Sequence, residues 1–296
     1  MKADDAGSHL PPLKYLKSLD VLMTTAGGWP YPQKAVLTTL AGLPENGRIL
    51  IRDNPASRRD PTAEWLRSMA EEHPEKIVLY QPEWAGEHGH NMDFLVSKAT
   101  ADWVLVMDSD VEFLVPNWAA ALDAMIGEYP EMRLMVEIGT TNSNPHDANF
   151  LPSGVKVPRR WLPRATSYFM FVQPSWVREK GVSFGRSDFQ VELIFASSFR
   201  YPLPAFLGDV SSPNRWTCEN GWQLLWAGAN CNEDAPYTMV QIPRSVAKTY
   251  IHHRHKICGA MKLAGDAPNA MTHSQHWGED IAPYIPGRQV VESVRV

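Results

Sequence analysis

The sequence predicts an α/β fold, a Rossmann-like and mostly parallel central sheet flanked by helices, with an irregular second half. Three observations predict it. Apolar runs of strand length alternate with helical patterns between Leu19 and Asp110. The fourth run, Trp103 to Met107, is apolar throughout, as in a strand covered on both faces. Four consecutive β-α units also favour a parallel sheet with right-handed crossovers.

Each element of the first half has its own signal. The helix after the second strand begins with Asp60 as N-cap and Pro61 in the first helical position. Its apolar residues Trp65, Leu66 and Met69 share one face. The remaining segments follow the same reasoning, with strands at Asp20–Thr25, Arg48–Asp53, Lys76–Tyr80 and Trp103–Met107, and helices near Pro32–Leu40 and Asn91–Thr100.

The second half is less regular. We predict helices near 117–127 and 220–227 and strands at 133–138, 167–172 and 247–251. The stretch from Thr140 to Pro163 is rich in Asn, Pro and Ser and predicts a long functional loop, and 201–214 is similar. The predicted division is a flexible segment at 1–18, a domain at 19–258 whose two halves are 19–112 and 113–258, and a tail or lid at 259–296.

Composition excludes several classes of function. A net charge of -5 over 296 residues gives no basic field, so nucleic acids are not expected partners. No run of about 18 apolar residues occurs, so no membrane span is expected, and cytoplasmic residence is the default expectation. The three cysteines form no CxxC pair, and their odd number argues against a disulfide framework. Composition leaves the oligomeric state open.

Polar residues cluster where the predicted strands end. Thr25, Asp53, Tyr80 and Asp108 follow or close the four strands, and ligands of such sheets bind beyond these carboxyl ends. Asp108-Ser109-Asp110 places two carboxylates two residues apart, and oxygen ligands suit Mg²⁺ or Mn²⁺. The alternative is a solvated turn, in which Asp and Ser are common. The position at the end of the fourth strand favours the metal site.

These motifs resemble a GT-A glycosyltransferase of the inverting family 2 type. Thr24-Thr25 matches the start of that family's nucleotide pocket, and Asp53-Asn54-Pro55-Ala56-Ser57 resembles its D-N-x-S element. The run from Asn91 to Asp110 resembles its Asn-led helix, strand and DxD motif. The resemblance extends from Leu19 to about Trp118 and weakens thereafter.

The resemblance implies that 19–258 is the catalytic domain, with a nucleotide-binding half at 19–112 and an acceptor half at 113–258. It also implies a set of site residues. For the donor nucleotide it implies Thr24, Thr25, Asp53 on the uracil, His90 where the family often has Arg, Asn91, Asp108 and Ser109. For the metal it implies Asp108 and Asp110, with His252 or His253 as a later ligand. For the general base it implies Glu219, with Asp209 as the second candidate.

The implied function is metal-dependent transfer of a sugar from a nucleotide sugar, of the UDP type, to an acceptor hydroxyl on a small molecule or glycan, with inversion. Mn²⁺ or Mg²⁺ would be the cofactor. Two alternatives stay open. One is a sugar-phosphate nucleotidyltransferase, although Gly27-Gly28-Trp29-Pro30 lacks the basic character expected after the first strand of that class. The other is a non-catalytic carbohydrate-binding protein on the same fold.

Overall fold

The computed structural model describes residues 13–55, 60–83, 86, 88–143, 160–184, 224, 227, 228, 231, 232, 235–242, 247, 249–253 and 289–290. For 138–143, 160–167, 252–253 and 289–290 it describes the backbone alone. Within this part of the chain the elements follow the order β1 Leu19–Thr25, α1 Tyr31–Ala41, β2 Gly47–Asp53, α2 Thr62–Glu72, β3 Ile77–Tyr80, α3 His88–Lys98, β4 Trp103–Asp108, β5 Val111–Phe113, α4 Trp118–Glu128, β6 Leu134–Ser143, β7 Arg160–Val172, α5 Pro174–Lys180, β8 Met239–Gln241, β9 Ile251–His253 and β10 Gln289–Val290.

The described strands form an eight-stranded sheet in the order β10-β8-β6-β7-β4-β1-β2-β3, and a two-stranded sheet of β5 and β9. Strands β4, β1, β2 and β3 are mutually parallel, and β7 runs antiparallel to both β4 and β6. The predicted mostly parallel α/β sheet is therefore confirmed. Strands β2 and β3 are added on one side of β1, and β4 is added on the other side. The order of strand addition therefore reverses next to β1, and such a reversal opens a crevice at the carboxyl ends of the strands.

Alternate residues of the strands pack into two apolar layers. Odd-numbered residues of β1, such as Val21 and Met23, join the layer beneath α1, α2 and α4. Even-numbered residues, such as Leu22, join the layer that contains Met92 and Leu95 of α3. This period of two requires both faces to be covered, which explains why the four parallel strands read as continuous apolar runs.

Helix starts differ from the predicted ones by a few residues. Helix α2 begins at Thr62 with Pro61 as N-cap, and Asp60 lies one residue before it and accepts the Thr62 amide at 2.9 Å. Helix α3 begins at His88, three residues before the predicted Asn91, and ends at Lys98. The Gly- and His-containing sequence of its first turn lacks an apolar period, so the pattern did not reveal that turn.

Two predictions about the second half are wrong in part. Thr140 to Pro163 is predicted as a loop, but 140–143 and 160–163 continue β6 and β7, with Thr140 opposite Pro163 and Ser143 opposite Arg160. Ala247 to Ile251 is predicted as a strand, but 247, 249 and 250 are helical and the strand is Ile251–His253. Polar strand extensions are held by their partner strand, which local sequence does not show.

The chain before β1 is attached to α4. Asp123 of α4 accepts the backbone amides of Lys14, Tyr15 and Leu16 at 3.1, 2.6 and 2.7 Å. Leu16 is buried in the core. The end of the segment predicted as flexible, 1–18, is thus fixed over these residues, while the division of the chain into segments stays a prediction.

Candidate functional site

The site lies at the carboxyl ends of β1, β2 and β4. Strand register places Asp108 beside Thr24, and Thr25 beside Asp53. Because β2 and β4 flank β1, the backbones at Asp53 and Asp108 are two strand spacings apart, roughly 10 Å. The strand-end convergence predicted from sequence is therefore present for Thr25, Asp53 and Asp108, and Tyr80 ends β3 beside Arg52, one residue before Asp53.

The first cluster of the site surrounds Asp53, which is 3% exposed. Its Oδ1 accepts the Thr25 hydroxyl at 3.1 Å, and its Oδ2 accepts Nε2 of Gln81 at 2.9 Å. Burial raises the pKa of Asp53, and the hydrogen bonds from Gln81 and Thr25 offset part of that shift. The result is a buried carboxyl group at the end of β2, held in place by two neutral hydrogen-bond donors.

A glycine loop borders this cluster. Gly27 and Gly28 have φ angles of 79° and 100°, a region that disfavours residues with a side chain. The Gly28 amide donates to Oδ2 of Asp60 at 2.7 Å, so one carboxylate ties the loop after β1 to the start of α2. Burial alone would raise the pKa of Asp60, but the hydrogen bonds that it accepts from Thr62 and Gly28 outweigh burial and lower it.

Two asparagines fix the chain between β3 and α3. Asn54 Oδ1 accepts Nδ2 of Asn91 at 3.1 Å and the Gly86 amide at 3.1 Å, and Asn54 Nδ2 donates to the Thr25 carbonyl at 3.1 Å. Asn91 Nδ2 also donates to the Gly86 carbonyl at 3.0 Å. A Cβ atom on Gly86 would lie 2.3 Å from Asn91 Oδ1, so this approach requires glycine. Asn91 is 1% exposed and its described contacts are with the protein itself.

The second cluster surrounds Asp108, on the α3 side of the sheet. His88, the first residue of α3, lies 2.9 Å through Nδ1 from the Thr24 hydroxyl and 3.8 Å through Nε2 from Asp108 Oδ1. The Asp108 side chain is 29% exposed, so the carboxylate can be reached from the crevice. His88 and Thr24 therefore flank the carboxylate that ends β4.

The turn after β4 carries Ser109 and Asp110, both half-buried. It leads into β5, whose Phe113 amide donates to the Thr38 hydroxyl of α1 at 3.1 Å. The backbone of β9 pairs with β5, with His253 opposite Val111 and His252 opposite Glu112. The backbone of the two predicted histidines therefore lies beside the strand that directly follows Asp110.

The described residues bring together Thr24, Thr25, Asp53, Asp108, Ser109 and Asp110 at one edge of the sheet. His90 is exposed on α3, and His88, two residues earlier, contacts the Thr24 hydroxyl. Glu219 and Asp209, the predicted general-base candidates, lie outside the described residues, as do the side chains of His252 and His253. The roles assigned to these residues stay predictions.

Sequence reasoning missed Gln81, His88 and the second contact of Asp60. Gln81 directly follows β3, so the strand-end rule that selected Tyr80 was one residue short of it. His88 required the correct start of α3. Asp60 was interpreted as a helix cap, and its contact with Gly28 joins residues 32 positions apart in the chain, which no local pattern reports.

The mostly parallel sheet, with the reversal of strand order next to β1, defines the fold class: an α/β domain of the GT-A type. The chain belongs to glycosyl transferase family 2, because the model of that family matches residues 20–171, about half of the chain. This confirms the resemblance stated from the motifs. A comparison with curated proteins finds no match.

Several solved structures are similar over part of the chain. A mannosyltransferase from Pyrobaculum calidifontis, in complex with GDP-Man and Mn²⁺, is 15% identical with a TM-score of 0.44, covering 59% of this chain and 49% of that one. GalNAc-T7 with UDP, GalNAc and Mn²⁺ is 14% identical with a TM-score of 0.43, covering 56% and 37%. TarS from S. aureus is 14% identical with a TM-score of 0.40, covering 57% and 50%. The chain spans half or less of the length of each.

Two searches of the described residues bear on the metal and on membranes. No group of three or more His, Cys, Asp or Glu side chains suited to a metal ion is found there. Asp108 and Asp110 supply two such carboxylates, and the histidines of β9 have no described side chains. No described helix is long and apolar enough to cross a membrane. The cytoplasmic location stays a prediction.

Proposed function

We propose that the chain transfers a sugar from a nucleoside-diphosphate sugar, of the UDP type, to an acceptor hydroxyl, with a divalent cation at Asp108 and Asp110. The observation that carries this is the placement of Asp53 and Asp108 on either side of β1, in a chain of glycosyl transferase family 2. Their separation of roughly two strand spacings suits a ligand with a base at one end and a diphosphate at the other.

The residues at the end of β4 fit a hard cation. Carboxylate oxygens are the ligands that Mg²⁺ and Mn²⁺ prefer, and both Asp108 and Asp110 are accessible at the strand end. When bound, such an ion neutralises the negative charge that develops on a departing diphosphate. We assign Asp108 and Asp110 as its ligands, with His252 or His253 as the third.

The other residues of the chain position the donor. Asp53 accepts the ring N–H of the base, while Thr25 holds its carboxylate in place. The Asn54–Asn91 pair keeps the loop at Gly86 against the same edge. Glu219, with Asp209 as the second candidate, takes the proton of the acceptor hydroxyl as that oxygen attacks the anomeric carbon with inversion.

The test is transfer activity and UDP binding in Asp110→Ala, in the presence of Mn²⁺. We expect the variant to lose transfer and to keep the fold, because Asp110 is half-exposed and lies in the turn after β4, outside the core of the sheet. Asp102→Ala is the matched control, since Asp102 is an exposed aspartate just before the opposite end of β4. Full activity of Asp110→Ala, or of the wild type in excess EDTA, contradicts the proposal.

Product analysis separates the remaining alternatives. A glycosyltransferase releases a nucleoside diphosphate, whereas a nucleotidyltransferase releases pyrophosphate. A binding protein on the same fold would bind UDP and show neither product nor slow donor hydrolysis. His252→Ala and His253→Ala, assayed over a Mn²⁺ titration, identify the third ligand as the variant that needs more metal for half-maximal activity.

A further inference from the structure

Gln81 is the exposed neighbour of the buried Asp53. The amide nitrogen of Gln81 donates to Asp53 Oδ2 at 2.9 Å, and Gln81 itself is exposed where Asp53 is 3% exposed. A ligand group that forms a hydrogen bond with Asp53 Oδ2 therefore lies next to the Gln81 amide. The two side chains present an acceptor and a donor next to one another.

The orientation of the Gln81 amide follows from its partners. Its nitrogen faces the Asp53 carboxylate and the Ala63 carbonyl, at 2.9 and 3.2 Å, and both of these groups accept hydrogen bonds. Its oxygen accepts from the Arg67 guanidinium at 3.2 Å, a group that can only donate. If the amide were turned by 180°, its oxygen would face the two acceptors and its nitrogen would face the Arg67 donor. The amide nitrogen therefore faces Asp53.

Both side chains have capacity for a ligand. Hydrogen bonds from the described residues occupy two of the roughly four acceptor positions on the Asp53 carboxylate. Gln81 can retain its bond to Asp53 and exchange the longer bond to the Ala63 carbonyl for one to a ligand oxygen. The pair then accepts one ligand hydrogen and donates another to an adjacent ligand oxygen.

We infer that Gln81 and Asp53 together select nucleobases that carry a ring N–H beside a carbonyl oxygen, with Gln81 as the residue that distinguishes the carbonyl. This inference rests on the proposed function, because it assumes that the base of the donor occupies the Asp53 cluster. Uracil, thymine and guanine have this edge. Cytosine presents a ring nitrogen acceptor and an amino group in the same positions, so that Asp53 faces a lone pair and Gln81 faces an N–H.

The discriminating experiment is calorimetric titration of the full chain with UDP and CDP, in Mn²⁺ and at about pH 8, where an aspartate is ionised. Gln81→Met removes the amide and retains the length of the side chain. We expect the wild type to prefer UDP by at least about tenfold. We expect Gln81→Met to lose about tenfold in UDP affinity while CDP affinity changes by less than about twofold.

Gln173→Met is the matched control. Gln173 is a partly exposed glutamine between β7 and α5, beyond the opposite end of β4 from the site, and its side chain makes no capping hydrogen bond. Its nucleotide preference should equal that of the wild type. A second ligand, UDP with sulfur in place of O4, tests the contact at the level of one atom, because sulfur accepts hydrogen bonds weakly. The wild type should distinguish it from UDP, and Gln81→Met should not.

The outcomes separate this inference from the proposed function. If Gln81→Met weakens UDP and CDP by the same factor, Gln81 positions Asp53 without contacting the base, and the inference is overturned while the function stands. A wild type that binds UDP and CDP equally overturns it in the same way. If the wild type binds no nucleotide with or without Mn²⁺, both the inference and the proposed function are overturned.

Discussion

Asp20 and Asp53 are two buried aspartates that lie at opposite ends of the neighbouring strands β1 and β2. Asp20 lies near the amino end of β1 and is 1% exposed, and Asp53 ends β2 and is 3% exposed. Asp20 accepts two hydrogen bonds from the Arg48 guanidinium, both at 2.9 Å, and the amides of Thr100 and Ala101 at 2.8 and 3.1 Å. Its charge is compensated inside the protein.

Asp53 has a different set of partners. Its donors are the neutral groups of Thr25 and Gln81, and no Lys or Arg of the described chain forms an ion pair with it. Burial raises the pKa of Asp53, whereas the hydrogen bond to Asp20 raises the pKa of Arg48, as expected for a compensated pair. The comparison shows that burial alone does not distinguish a structural carboxylate from a candidate binding residue. Among the described residues, a buried carboxylate that forms no ion pair is the better candidate.

The largest expected effect is the loss of stability in Asp20→Ala. The substitution removes the carboxylate that accepts hydrogen bonds from the Arg48 guanidinium and from two backbone amides, and it leaves Arg48 with its contact to the Thr100 hydroxyl. We expect the free energy of unfolding to fall by about 3 kcal/mol, the lower end for a broken buried pair, because Arg48 is one-third exposed. Urea denaturation measures it. A loss below about 1 kcal/mol would mean that the Asp20 network is not structural.

Asp53→Asn should show the opposite pattern. We expect UDP affinity to fall roughly 10- to 100-fold, because hydrogen bonds to a charged group contribute about 1.5–3 kcal/mol. The free energy of unfolding should change by less than about 1 kcal/mol, since the substitution also removes a buried charge. Calorimetry and urea denaturation on the same preparation measure both. A variant that unfolds easily and still binds UDP would remove the distinction between the two aspartates.

The pH dependence of binding follows from the same carboxyl group. An ordinary aspartate has a pKa of about 3.9. Because the pKa of Asp53 is raised in the folded protein, Asp53 becomes protonated at a higher pH than such an aspartate. The protonated group no longer accepts the base N–H as a carboxylate. UDP affinity should therefore decline from above about pH 4 as the pH falls, and Asp53→Asn should lack the part of this decline that protonation of Asp53 causes.

The sequence predicts the parallel half of the fold well because β1 and β4 are buried on both faces and β2 over most of its length, so that these strands appear in the sequence as apolar runs. Asp53 and Asp108 were found for the same reason, since a polar residue that closes an apolar strand is conspicuous. Strand β5 has three residues and pairs with a strand about 140 positions later, so no local period reveals it. The contacts of Gln81 and Asp60 likewise depend on neighbours that the fold brings together.

Asn91 is another buried polar residue at the site, and it can be tested for a structural or a donor-binding role. The resemblance implies a donor contact, but its amide is engaged with Asn54 and Gly86. We expect Asn91→Ala to lower the free energy of unfolding by about 1–2 kcal/mol, because it removes the buried hydrogen bond to Asn54 Oδ1 and the bond to the Gly86 carbonyl. Asn46→Ala, at an exposed asparagine before β2, should change it by less than about 0.5 kcal/mol.

Affinity for UDP decides the role of Asn91. A change of less than about threefold alongside the loss of stability would mean that Asn91 positions the loop at Gly86. A tenfold loss of affinity with unchanged unfolding would restore the donor contact implied by the resemblance.

The smallest expected effect is that of Asp60→Asn, which links the two kinds of carboxylate. Asp60 accepts the Gly28 and Thr62 amides, and its pKa is lowered because these bonds outweigh burial. A lowered pKa means that its stabilisation is present above the unfolded pKa, near 3.9, and is lost as the pH falls through the folded pKa. We expect Asp60→Asn to cost about 1 kcal/mol at neutral pH, and this cost should shrink below about pH 4.

Asp60→Asn should also alter Asp53. The negative charge of Asp60 contributes to the raised pKa of Asp53, so its removal lowers that pKa. The acid decline in UDP affinity should then move to lower pH, although Asp60 makes no contact with the base in the proposed site. Glu64→Gln, which neutralises an exposed charge in the first turn of the same helix, should leave the decline where it is. If both variants shift the acid decline equally, the net charge of the protein sets the pH dependence, and the local repulsion between Asp60 and Asp53 does not.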